Sequence, residues 1–248
     1  MDIAGKTALV TGGGTGLGRE ISLQLARAGA DVAVNYSRSK DEAAEVAAEI
    51  DRVGQASVAV QADVSDRNAV GAMVSAVEDA LGPIDILVNN AGVTRFIPFD
   101  DIEAITNADW DYALRVNVIG AFNCVQAIAP AMGRRGGGAI INVSSISPFV
   151  ATGSSLPYTV SKAGLLSMTT CLCRALPKSI RINALAPGWM ATPWLDRYVP
   201  DEIVAKIREG ELPTVPVEQV AAMALELIRN DGASGQTVVL DAGDIWRK

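Results

Sequence analysis

The sequence predicts one doubly wound α/β domain, a parallel sheet of about seven strands with helices on both faces. Short apolar runs alternate with longer stretches of helical period. The runs are continuously apolar rather than alternating, as expected of strands covered on both faces. Glycines crowd the turn between the first run and the first helical stretch. No linker, repeat or low-complexity segment interrupts the 248 residues, so a single domain is expected over 1–248.

The elements follow in order. Thr7 to Val10 is the first strand, followed by a glycine turn and a helical pattern through Ala28. Asp31 to Asn35 is the second strand, with a helix from about Lys40 to Val53. Ser57 to Gln61 is the third, with a helix from about Arg67 to Leu81. Asp85 to Asn89 is the fourth, and a long helical pattern covers roughly Asn107 to Met132. Ala139 to Val143 is the fifth, after the turn Gly136-Gly137-Gly138, and a helix follows from Tyr158 to Leu176. Ile180 to Ala184 is the sixth; a helix near Val217 to Arg229 leads to the seventh, Gln236 to Leu240. Right-handed crossovers should link them.

Composition narrows the chemistry. With 49% hydrophobic residues the chain can bury a large core. A net charge of −7 argues against nucleic acid and anionic membranes as partners. There is no histidine, which excludes Ser-His-Asp and Cys-His catalysis and removes the commonest zinc ligand; no metal site is expected. The odd set Cys124, Cys171 and Cys173 suggests free thiols in a reducing compartment. Met1 to Val10 runs straight into a strand without a signal-peptide pattern, and no uninterrupted apolar run is long enough for a bilayer. The expectation is a soluble, cytoplasmic protein.

The turn Thr11 to Gly18 points to a nucleotide. Gly12, Gly14, Thr15, Gly16 and Leu17 sit where a strand feeds a helix, so the backbone can approach a pyrophosphate at the positive helix end. The spacing is not G-x-G-x-x-G, because Leu17 occupies its last glycine position. At the end of the second strand, where an acid usually holds the ribose of NAD, stands Asn35-Tyr36-Ser37-Arg38. Ser37 and Arg38 suit a 2′-phosphate, so NADP(H) is favoured, with NAD(H) as the alternative. Asp63 and Val64 are placed to contact adenine. Asn90, Ala91 and Gly92, after Asn89, are small enough to let cofactor pass close to the backbone.

Tyr158 and Lys162 carry the chemistry. Four residues apart on a helix, they leave the same face. A neighbouring ammonium favours the phenolate, and a shift of about two or three units from about 10 would make Tyr158 an acid or base usable near neutrality.

Together these residues resemble the short-chain dehydrogenase/reductase family, of Rossmann-type fold, over essentially the whole chain. The motifs are TGxxxGxG at Thr11 to Gly18, NNAG at Asn89 to Gly92, Asn117, Ser145 thirteen residues before Tyr158, Lys162, and Pro187-Gly188 with Thr192. The resemblance implies an NAD(P)-dependent oxidoreductase that moves a hydride between a nicotinamide and a secondary alcohol or ketone. It makes Tyr158 the acid/base and has Lys162 lower its pKa and hold the ribose. Ser145 would polarise the carbonyl, Asn117 anchor a water, and Pro187, Gly188 and Thr192 fix the nicotinamide. It makes about 189–216 a substrate lid, with Trp189, Met190 and Trp194 against substrate. Thr94, Arg95, Phe96, Ile146, Phe149 and Thr152 are expected in the same cleft, Arg95 being able to engage an acidic group. It also implies a homotetramer paired through the helices near Asn107–Met132 and Tyr158–Leu176. Gly92-Val93-Thr94-Arg95 is similar to 3-oxoacyl-thioester reductases of the family, an alternative activity. A non-catalytic nucleotide-binding regulator on the same fold is the rival of another class, and the intact Ser145-Tyr158-Lys162 set argues against it.

Overall fold

The computed structural model describes residues 1–243 and Ile245, so the expected domain end at residue 248 lies outside the described residues. Its strands are β1 (Thr7–Val10), β2 (Asp31–Tyr36), β3 (Ser57–Gln61), β4 (Ile84–Asn89), β5 (Gly138–Val143), β6 (Ile180–Pro187) and β7 (Thr237–Leu240). They form one sheet in the order β3-β2-β1-β4-β5-β6-β7. Every pairing is parallel, in registers such as Val10 with Val34 and Val10 with Val88. Strand order reverses between β1 and β4, so a crevice opens at their carboxyl ends, where ligands bind in this architecture.

The helices are α1 (Gly16–Arg27), α2 (Lys40–Val53), α3 (Arg67–Leu81), α4 (Asn107–Leu114), α5 (Ala121–Arg134), α6 (Ser147–Val150), α7 (Leu156–Ala175), α8 (Pro193–Tyr198), α9 (Asp201–Arg208) and α10 (Val217–Arg229). Local chemistry sets their ends. Asp66 caps α3 by accepting from the backbone N–H of Asn68 and Ala69. Thr106 and Asp109 form a reciprocal capping box on α4. Gly54, at φ 98°, closes α2 in the left-handed conformation. The Ser155 cap and Pro157 start α7 two residues before the expected Tyr158.

One apolar layer packs α1, α2 and α10 on the sheet through Ile21, Leu25, Val46, Ile50, Val220 and Ile228. The other uses Met73, Val77, Ile128 and Met132 of α3 and α5. A separate small cluster, Leu195, Val199, Val204 and Ile207, holds α8 to α9.

Three features of the helices bear on the sequence pattern. The long helix is continuous from Asn107 to Arg134, but Arg115–Gly120 between α4 and α5 widens into a π-helical turn carrying Asn117. By length and composition that helix could cross a bilayer, but Asn117, Asn123 and Gln126 interrupt its apolar run and half of its most apolar window is buried in the fold, as in a core helix. Residues 189–216, for which the sequence pattern named no element, contain α8 and α9; α8 is six residues long and begins at Pro193, too short to show a period.

Candidate active site

The end of β5 and the start of α7 are stitched together around a lysine. Ser144 Oγ donates to the Lys162 carbonyl and Lys162 Nζ donates to the Val143 carbonyl, both at 2.9 Å. Ser161 Oγ donates to the Tyr158 carbonyl at 2.6 Å. Deeper in the fold, Asn89 donates to Asn142 and Asn142 to Thr169, tying β4, β5 and α7 into one polar row. A rotation of α7 about its axis would break the bonds of Ser144 with Lys162, Lys162 with Val143 and Asn142 with Thr169, so the register of Tyr158 and Lys162 is fixed.

Asn117, buried in the π turn, holds the loop after β4. Its Nδ2 donates to the Val93 carbonyl and to Ser161 Oγ, and its Oδ1 accepts from the Val93 N–H at 2.8 Å. Lys162 Nζ and Asn117 Oδ1 converge on Gly92: a Cβ there would stand 3.4 Å from each. The Asn117 side chain is thus committed to positioning the loop and α7.

The glycine turn is held by side chains from neighbouring strands. Asn90 Nδ2 donates to the carbonyls of Thr11 and Gly12, and Thr11 Oγ1 accepts from the N–H groups of Asn90 and Ala91. Asn35 Oδ1 accepts from the Gly12 N–H. Gly12 and Gly16 lie at φ 62° and 52°, where L side chains are strained. A Cβ on Gly18 would fall 2.2 Å from the Gly12 carbonyl oxygen, so Gly18 provides the close helix-to-strand approach and Leu17 is free to face the cleft. This cradle fits a dinucleotide: open backbone at a helix start, with small residues opposite at Ala91 and Gly92.

A cavity of about 880 Å³ runs from this turn to residues 189–212. Ser145, Tyr158 and Lys162 line it together. Ser145 lies near enough to the phenol to favour its ionised form, but burial dominates and pushes Tyr158 up to about 12. Burial pulls Lys162 down to about 8. The expected depression of the Tyr158 pKa by Lys162 is therefore absent. Nζ stands 5.7 Å from the ring centroid and is itself desolvated, so desolvation outweighs its attraction.

The family model for short chain dehydrogenases matches residues 6–203. The chain belongs to the short-chain dehydrogenase family. A 3-oxoacyl-(acyl-carrier-protein) reductase of Staphylococcus aureus is 37% identical, covering 96% of this chain and 97% of its own. Among solved structures, a 7 alpha-hydroxysteroid dehydrogenase complexed with NADH and 7-oxo glycochenodeoxycholic acid superposes with a TM-score of 0.88 at 31% identity, covering 97% of this chain and 94% of its own. A gluconate 5-dehydrogenase of Burkholderia cenocepacia in complex with NADP and tartrate gives 0.86 at 33% identity, covering 97% and 95%. This chain is accordingly an NAD(P)-dependent oxidoreductase acting on CH–OH and C=O groups.

Most residues expected in the family's site line the cavity: Gly12, Thr15, Gly16, Leu17, Ser37, Arg38, Asp63, Val64, Asn90, Ala91, Gly92, Pro187, Gly188 and Thr192, and on the substrate side Trp189, Met190 and Trp194. Others do not. Gly14 packs against α2, where a Cβ would meet the Ala43 nitrogen at 2.9 Å. Asn117 lies behind the wall. Arg95, expected to engage substrate, is outside the lining; Asp109, the α4 capping acid, holds its guanidinium at 3.0 Å. Thr94 is buried against Ser154, and Phe149 is exposed elsewhere. The sequence reading missed Asn35, Thr11 and Ser144 as the bonds that shape the site. An asparagine ending an apolar strand was the available signal. Tyr112, Arg197 and Tyr198, which also line the cavity, carried none.

Proposed function

We propose that this protein interconverts a bulky apolar ketone and its secondary alcohol, with NADP(H) preferred over NAD(H), in one catalytic domain over 1–248 whose residues 189–216 form the substrate lid. One observation carries the reading. Ser145, Tyr158 and Lys162 line one cavity together with Phe96, Phe99, Trp189, Met190 and Trp194.

Bound NADPH supplies the hydride. Tyr158 is raised in pKa and so holds its proton, the state needed to donate to a carbonyl oxygen as negative charge develops there. Ser145 donates a hydrogen bond to the same oxygen. Lys162 is held by Val143 beside the phenol and beside Gly92, placed to stabilise the phenolate left by proton transfer and to hold the ribose hydroxyls. Asn117 fixes the loop and helix that bring these groups together, and the aromatic lid excludes water. At the other end, exposed Ser37 and Arg38 favour a 2′-phosphate.

A second reading, reduction of a 3-oxoacyl thioester, is favoured by the Staphylococcus aureus relative. Purified protein with NADPH or NADH and a panel of cyclic ketones, hydroxysteroid ketones and an acetoacetyl thioester, followed at the nicotinamide absorbance, separates the two. Turnover of the bulky ketones with NADPH supports the main reading. Turnover confined to the thioester replaces it with the second, and turnover with none sinks both.

The exposed apolar residues Ile119, Phe122 and Val160, on the π turn, α5 and α7, support pairing of copies into a homotetramer. A monomer by light scattering would overturn that. The unpaired thiols, buried at Cys124 and exposed at Cys171, suit a cytoplasmic setting.

A further inference from the structure

The lid carries positive charge to the cofactor end of the cleft. Helix α8 lies across the cavity. Its Trp194 ring stands 6.4 Å from the ring of Tyr158 and 4.4 Å from that of Tyr198. Beyond Trp194, the Arg197 guanidinium sits over the Tyr198 ring, 5.2 Å from its centroid. The Tyr198 hydroxyl meets Tyr112 of α4 and lies within the field of both Arg197 and Arg38. One end of a six-residue helix therefore stands beside the acid/base, and the other shares the cavity and the field of Arg38 on the loop after β2.

The charges there are not balanced by the fold. Arg38, Arg197 and Lys206 all line the cavity, and none belongs to an ion pair among the described residues. The neighbouring lid acid Asp196 is taken by Arg208 at 2.6 Å. Glu42 and Asp63 line the same cavity, but neither pairs with these cations. Guanidinium groups brought together in a cleft repel each other until an anion sits between them, and two planar forks suit the oxygens of a phosphomonoester.

Resting on the NADP(H) reading above, we propose that Arg197 is the second arm of a clamp whose first arm is Arg38, both gripping the cofactor 2′-phosphate. The phosphate then holds α8 in place and keeps Trp194 beside Tyr158. Discrimination for NADP(H) is exerted partly through lid closure, making Arg197 a specificity-determining residue distant from the chemistry.

The test measures binding and protection. Affinities for NADP⁺, NAD⁺, adenosine 2′,5′-bisphosphate and AMP are compared by calorimetry in wild type, Arg197→Gln, Arg197→Lys and Arg38→Ala. Hydrogen exchange is followed across α8 and α9. Arg197→Gln should weaken NADP⁺ and the bisphosphate about tenfold or more and leave NAD⁺ and AMP within about twofold, with Arg197→Lys between. The bisphosphate alone should slow exchange across the lid in wild type and fail to do so in Arg197→Gln. If Arg38→Ala discriminates against NADP⁺ while Arg197→Gln does not, the lid arm is wrong and the cofactor preference stands. If wild type binds NAD⁺ as tightly as NADP⁺, the cofactor preference falls and the clamp falls with it.

Discussion

The two walls of the cleft are built from different material. The cofactor wall is backbone, held in place by side chains buried behind it: Asn35, Asn90 and Thr11 fix the glycine turn, and Asn117 fixes the loop at Val93. The opposite wall is side chains, aromatic and aliphatic, from residues 189–212 together with Phe96 and Phe99. That segment is closed on itself by the short bridge of Trp189 with Thr214, carries its own small core, and joins the sheet's apolar layer through Met190 and Val215. A backbone wall braced by strand ends can hold a nucleotide in one geometry. A side-chain wall on a satellite core can open, close and change its occupant without disturbing the sheet. On the proposed reading, substrate choice belongs to the second wall.

The comparison breaks first, and by the largest factor, at the group between the two walls. Tyr158→Phe keeps the ring against Trp194 and removes only the hydroxyl. Turnover should fall about 10²–10⁴-fold while NADP(H) affinity stays near wild type, read by steady-state rates and calorimetry on the same preparation. Retained turnover would show that the proton comes from elsewhere.

Next is the cradle. Gly18→Ala puts a methyl 2.2 Å from the Gly12 oxygen and 2.5 Å from Asn90 Nδ2, a contact that only movement of the turn can relieve. Overpacking of this kind costs about 1–3 kcal/mol, and here the displaced backbone is the binding surface. Cofactor affinity should drop about tenfold or more, with a lower melting temperature. A small substitution on the other wall, Leu212→Val, should leave cofactor affinity unchanged. Equal effects from both would erase the distinction between braced backbone and adjustable side chains.

A smaller effect lies in the pH dependence of stability. Lys162 titrates at about 8 in the fold against an ordinary 10.5. Between these values the unfolded chain binds a proton that the folded chain does not, so unfolding free energy rises with pH across the window. Tyr158, raised to about 12 from 10.0, has the opposite sign: the folded state keeps its proton longer, and stability falls from pH 10 to 12. Cys124, raised to about 12 from 9.0, also acts to lower stability at high pH. Lys162 is the sounder probe, since it is buried whereas Tyr158 shows an edge to the cleft. Urea unfolding of wild type and Lys162→Met at pH 8 to 10 cancels the thiol, common to both. The wild type should show the more positive slope, and parallel curves would mean Lys162 is solvated in the fold.

The same contrast explains what was legible in the sequence. The braced wall depends on backbone geometry that few residue types tolerate, so it leaves fixed marks: glycines at Gly12 and Gly16 with positive φ, and apolar runs on both sheet faces. Those marks were enough for strand boundaries within a few residues and for most of the residues that line the cavity at the glycine turn. The adjustable wall has no such marks. Helix α8 is too short for a period, and Tyr198 meets Tyr112 across some eighty-six positions of chain, a long-range encounter that no local pattern encodes. The pKa of Tyr158 was unreadable for a related reason: spacing showed that a lysine was near, but only the packing shows that the lysine is desolvated as well.

Arg95 is the finest test, because the sequence reading placed it in the substrate cleft and the fold did not. Its neighbours Val93 and Phe96 line the cleft, so one turn of the backbone decides the matter. The capping box of α4 decides it. Asp109 accepts from the Thr106 N–H and hydroxyl, which hold its pKa down, and its other oxygen receives Arg95. That guanidinium is mostly exposed, so the ion pair is worth about 0–1 kcal/mol. Arg95→Ala should therefore lower stability slightly and leave KM for apolar and acidic ketones within about twofold of wild type. A KM rise confined to acidic ketones would return Arg95 to the cleft and show that the lid side reorganises when substrate binds.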